Sequence, residues 1–180
     1  MKKILIPAIV AGLFLLTGCG GTNTATPEPQ APQKVETPAP AARTWNTSDI
    51  NALTNGNMQY AAELVRERTG DLASSAIEAV PADVMRRPWD YYGKVVSFSG
   101  TVAVVQDSPP GDNLSKGLGG SACEIVITAD DVIIDGLLAG NSSGVYTGDW
   151  VTFYGYPCGT MEVDNKIGGK FKHLLVIGTR

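Results

Sequence analysis

Val96-Ser97-Phe98-Ser99-Gly100-Thr101-Val102-Ala103-Val104 is the stretch on which the fold turns. Val96, Phe98, Val102 and Val104 alternate with Ser97, Ser99, Thr101 and Ala103, the period-two code of a strand with one dry face. Gly100 takes a dry-face position without a side chain, which predicts a bend or bulge at mid-strand. The code recurs downstream. Cys123–Thr128 puts Cys123, Ile125 and Ile127 on one face, and Val132-Ile133-Ile134 is a shorter apolar run. Trp150–Tyr156 turns Val151, Phe153 and Gly155 inward, and Phe171–Ile177 supplies a last strand. No crossover helix pattern separates these runs, so five strands joined by loops predict a small antiparallel barrel.

Upstream, the period lengthens. Thr47, Ser48 or Asp49 can cap a short turn through Ile50 and Leu53 that ends at Asn55-Gly56. Asn57 is expected to cap a helix carrying Ala61, Leu64, Val65 and Arg68, closed by Gly70. Asp71 is expected to start another, with Ala73, Ile77 and Val80 on one side and Pro81 as its stop. Helices this short need a surface to pack on, so residues 45–87 are read as a helical segment covering a mouth or outer face of a barrel at 88–180.

Pro88-Trp89-Asp90-Tyr91-Tyr92-Gly93-Lys94-Val95-Val96-Ser97-Phe98-Ser99-Gly100-Thr101-Val102 resembles the opening of OB-fold domains found in bacterial lipoproteins, the group described as tRNA-anticodon-binding-like. Tyr146-Thr147-Gly148-Asp149-Trp150-Val151-Thr152-Phe153-Tyr154-Gly155 is similar to their fourth-strand approach. The resemblance spans roughly residues 84–178 and implies a mainly β chain with N-terminal helices, its core a five-stranded OB-fold-like Greek-key barrel. It also implies that residues 107–121 and 157–169 are the loops beside the ligand surface of that fold.

The amino terminus reads as an export signal. Lys2 and Lys3 precede an apolar run from Ile4 to Leu16, shorter than the roughly 20 residues of a spanning helix. Leu16-Thr17-Gly18-Cys19 resembles the bacterial lipobox, which implies removal of residues 1–18 as a signal peptide and acylation of Cys19, palmitate included. Gly20 and Gly21 follow, without the Asp that would mark inner-membrane retention; either envelope type stays open. Five prolines (Pro27, Pro29, Pro32, Pro38 and Pro40) keep residues 19–44 extended, so this segment reads as a tether. The location implied is the bacterial cell membrane or outer membrane, on the extracytoplasmic side.

Composition narrows the functional classes. Hydrophobic residues are 43% and charged ones 18%, with a net charge of −4. Residues 45–180 carry 10 basic and 16 acidic groups, a balance that repels phosphate backbones and disfavours nucleic acid as a partner. One histidine excludes a multi-histidine metal site. Asp130, Asp131 and Asp135 lack calcium-loop spacing and read as solvated turn carboxylates. His173 has no recognisable nucleophile or orienting acid and reads as an exposed or edge-strand residue. No catalytic residue, metal or cofactor is indicated.

Cys123 and Cys158 remain as an even pair. An oxidising exterior would join them across the rim of the two loops; two buried, unpaired thiols are the alternative. Trp150, Tyr154 and Tyr156 alternate with the inward residues of their strand, so they either form an exposed stacking row or lie beneath the 57–87 helices. With Asp112, Asn113 and Lys116 of the first loop they are the candidate ligand-binding residues. The reading is a non-catalytic envelope module, held to the membrane through lipid on Cys19, that recognises a protein, peptide or glycan. An envelope assembly protein docking to another subunit is the alternative, and an enzyme with an unrecognised site comes third.

Overall fold

The computed structural model describes residues 43–165 and 168–180. The readings made on residues 1–18, and on the tether up to residue 42, lie outside them.

Among the described residues, six strands form one mixed sheet: β1 (Ile77–Glu78), β2 (Val96–Asp107), β3 (Ala122–Ala129), β4 (Val132–Ala139), β5 (Trp150–Asp164) and β6 (Lys170–Thr179). Their order is β1-β2-β3-β4-β6-β5, and β2 also pairs with β5, which brings the sheet round into a ring. The pairs are antiparallel except for β4–β6 and β1–β2. An all-antiparallel arrangement is therefore corrected to a mixed one, and five strands to five long ones plus a two-residue edge.

Ring closure depends on β2 serving two neighbours. Its Val96–Thr101 half pairs with β5 and its Thr101–Asp107 half with β3. Gly100 sits at the changeover, where an added Cβ would lie 2.5 Å from the Thr128 carbonyl oxygen; this is the bend its missing side chain permits. A bulge follows between Val102 and Val104. The interior is filled by Val96, Phe98, Val102, Ile125, Ile127, Ile134, Phe153, Leu174 and Val176. Phe98 and Phe153 meet there with ring centroids 6.0 Å apart.

Three stretches depart from expectation. β4 runs on to Ala139 because Asp135 and Gly136, which interrupt its apolar run, both fit the sheet; the Phe153 ring occupies the space a Cβ on Gly136 would need. β5 runs to Asp164 through Pro157 and Gly159, which form a bulge rather than a strand end. Residues 157–164 are thus strand, not loop. Where β5 outruns β2, its open edge is taken by the chain at 50–52, with Thr160 N–H donating to the Ile50 carbonyl at 2.7 Å and Ala52 N–H to the Thr160 carbonyl at 2.9 Å.

The amino-terminal segment covers the ring in two ways. Helix α1 (Asn57–Glu67) lies on the outer wall of β5 and β6, where Ala61 is completely buried in a second apolar cluster with Tyr156, Cys158, Leu175 and Ile177. Helix α2 (Pro81–Arg86) inserts Val84 into the interior cluster and stoppers one end of the ring. Pro81 begins this helix instead of ending one, since a proline at the first turn forfeits no helical hydrogen bond. The helix expected from Asp71 is a short 3-10 turn at Ala73–Ser75 followed by β1.

Asn57 is not the cap of α1. Gly56 is, in a left-handed conformation, and Asn57 is buried. Its side chain accepts from Asn46 N–H (2.8 Å) and donates to the Asn46 carbonyl (3.1 Å). Asn55 accepts from Asn57 N–H and donates to the Cys158 carbonyl at 2.8 Å, so buried amides join this cover to the bulge of β5.

Candidate functional site

The connection between β2 and β3, expected as a loop over residues 107–121, holds helix α3 (Asn113–Gly117). Asp112 caps it, its side chain accepting from Ser115 N–H at 2.7 Å. Leu114 and Leu118, four residues apart, turn toward the outer apolar cluster. Helix α3 therefore stands beside α1, and between them opens a groove of about 590 Å³. Leu137 of β4 and Ile177 of β6, paired in register, form its floor. Met58, Ala62, Leu114 and Leu118 line its sides, and Arg43, Glu63, Arg66 and Asn113 edge it. Arg43 and Glu63 are ion-paired across this edge, and the Arg66 guanidinium reaches the Gly117 carbonyl of α3 at 3.4 Å. An apolar trough with a few polar groups at its margin is suited to an apolar side chain or ring carried on a polar ligand.

The candidate residues are dispersed. Asn113 lines this groove; Asp112 is occupied as a cap, and Lys116 stands in the last turn of α3. Tyr156 is buried and its hydroxyl accepts from Arg68 at 3.3 Å, while Tyr154 packs partly into the same cluster. Trp45 covers Tyr156, its ring 6.0 Å from that of Tyr156 and 5.7 Å from that of Tyr92. Burial pushes the Tyr92 hydroxyl up to about 12. Trp150, by contrast, is 71% exposed and lies at a different groove. The three aromatics thus divide between the two arrangements their spacing allowed.

Cys123 and Cys158 are both free thiols, so the rim bridge is not formed. Cys123 belongs to the interior cluster and Cys158 to the outer one. Strands β3 and β5 are not neighbours in the ring, and the two side chains face opposite sides of its wall. Burial raises both thiols above their ordinary range.

Two polar residues are buried where exposure was expected. Asp135 is 2% exposed and His173 9%, so neither is a solvated turn or edge residue. Both sit on the outer wall in adjoining parallel strands, with Asp135 Oδ2 3.5 Å from His173 Nδ1. Among the described residues, Asp135 Oδ1 and His173 Nδ1 have no hydrogen-bond partner. Burial, then the charge of Glu124 on β3, raises the Asp135 carboxyl to about 7. Burial lowers the imidazole. Period two contained the signal, because Ile133, Asp135 and Leu137 share one parity and hence one face. Among the described residues, no group of three His, Cys, Asp or Glu side chains is arranged to hold a metal ion, and no helix is long and apolar enough to cross a membrane.

No protein-family model matches this chain, and no curated protein is similar to it.

Proposed function

We propose that the chain is a lipid-anchored, exported binding module of the bacterial cell envelope, non-catalytic and built on an OB-fold-like barrel. The order of the five long strands supports the fold reading: first, second, third, fifth, fourth and back to the first, with the third and fifth parallel. The Pro88–Val102 and Tyr146–Gly155 resemblances agree with it. The helix that stoppers the ring comes from the amino-terminal extension, which fits a barrel elaborated for its own ligand.

The groove between α1 and α3 carries the functional reading. It is concave, apolar at its base and edged by charge, as a recognition site for a protein or peptide side chain or a glycan face is. A docking surface for assembly would be broad and flat instead. Acyl chains on Cys19, at about 0.8 kcal/mol for each buried methylene, would hold the module on the bilayer, and residues 19–44 would set its reach.

A photocrosslinking side chain at Gln59, on the edge of the groove, tests this on intact cells. The expected result is a discrete adduct whose yield falls at least about tenfold when Leu137→Glu places a carboxylate on the floor. A crosslinker at Lys172 is expected to give none. Identical capture at both positions, or capture indifferent to Leu137→Glu, would contradict the groove. In the same cells, labelled palmitate is expected on the native chain and absent from Cys19→Ser; label retained by that variant would remove the anchor.

A further inference from the structure

On another face of the ring, the Val96–Thr101 half of β2, paired with β5 and at its start with β1, forms the base of a second groove, of about 390 Å³. Ser97 and Ser99 lie along it. One wall is the end of β1, with Glu78, and its link to α2; the other is the end of β3, with Thr128, and the turn after it, with Asp130. Trp150 stands at the margin with 71% of its surface in solvent. Beside the groove, the Ser99 and Thr152 hydroxyls hydrogen-bond across β2 and β5 at 2.7 Å.

From this geometry we propose a saccharide-binding site that takes an uncharged pyranose oligosaccharide, with Trp150 as its stacking platform. A pyranose ring has an apolar C–H face and a girdle of hydroxyls. The indole offers the first a flat apolar surface. Glu78 and Asp130 accept hydrogen bonds from the second, and the serine and threonine hydroxyls both donate and accept. The lining contains no Lys, Arg or His, and its two carboxylates repel phosphate, sulfate and uronate groups. A solitary, well-exposed indole beside hydroxyls and carboxylates has no packing role to account for its position. The site shares no residue with the α1–α3 groove and stands or falls independently of it.

The test is saturation-transfer NMR and calorimetric titration of the full chain in a zwitterionic, sugar-free detergent. The probes are the tetrasaccharides of N-acetylglucosamine, of β-1,4-linked glucose and of α-1,4-linked glucose, with pentalysine as the cationic comparison. At least one tetrasaccharide is expected to bind in the micromolar to low-millimolar range, with transfer strongest at its ring C–H protons. Trp150→Ala is expected to weaken binding at least about tenfold, the weight of one stacking contact, with thermal stability unchanged. Glu78→Gln combined with Asp130→Asn is expected to weaken it several-fold. Absence of saccharide binding at low-millimolar concentration, equal binding by Trp150→Ala, or binding of pentalysine alone would each overturn the proposal.

Discussion

Replacing Gly178 with alanine is expected to destabilise the ring severely. Gly178 on β6 faces Gly155 on β5, and the two strands cross so closely there that an ideal Cβ on Gly178 would lie 1.9 Å from the Tyr154 carbonyl oxygen and 2.6 Å from the Gly155 Cα. Both neighbours are backbone, so no rotamer change relieves the overlap. β6 would have to move away from β5 while remaining paired with β4 on its other side. Adding a methylene to a close-packed core costs roughly 1–3 kcal/mol when side chains yield, and a backbone overlap costs more. Gly178→Ala is therefore expected to lose at least about 3 kcal/mol of a total stability typically near 5–15 kcal/mol. Urea denaturation followed by circular dichroism reads this as a large drop in midpoint. Gly70→Ala, where a Cβ meets nothing within 4 Å, is the control and should be neutral. A Gly178→Ala midpoint equal to that control would mean that β5 and β6 do not cross as described.

The second large effect concerns pH. The Asp135 carboxyl is raised to about 7, so between the ordinary carboxyl value near 4 and pH 7 the folded chain holds a proton that the unfolded chain has released. This carboxyl's favourable contribution is complete below pH 4 and is lost as pH rises toward 7, a change on the order of 4 kcal/mol. His173 acts in the opposite sense. Its imidazole is lowered, so the unfolded state takes up a proton first, and stability falls as pH drops below its ordinary value of 6.5. Glu124 faces the carboxyl from β3, and its charge adds to the upward shift. Asp135→Asn removes the ionisable group and keeps its shape. The variant is expected to be more stable than the native chain by several kcal/mol at pH 8 and close to it at pH 4. Equal destabilisation at both pH values would show that the carboxyl is not held neutral by burial.

The strands were legible because their apolar residues keep period two: Phe98, Ile125, Ile127 and Phe153 all lie in the interior their parity assigns. Legibility failed where one residue served two purposes. Asp135 and Gly136 look like a turn and are strand, because the carboxyl shelters beside His173 and the glycine yields room to Phe153. Pro157 and Gly159 look like an ending and are a bulge. Pro81 carries opposite meanings at the two ends of a helix, and tertiary packing of Val84 decides which applies. The glycines at 117, 119 and 120 concealed α3 and, with it, the groove, although Asp112 followed by Leu114 and Leu118 held a capping and packing signal. The separation of Cys123 from Cys158 could not be read locally, since it follows from which strands adjoin in the closed sheet.

Both grooves rest on a wall whose curvature comes from β2 pairing with β5 along its first half and with β3 along its second. Nuclear Overhauser contacts in the isotopically labelled chain test that junction directly. The expected spectrum has antiparallel cross-strand contacts joining Val96–Thr101 to Gly155–Trp150, together with the parallel set joining Ile133–Leu138 to His173–Gly178. A spectrum with the second set and none of the first would describe an open sheet, and neither groove would then have the surface on which it is built.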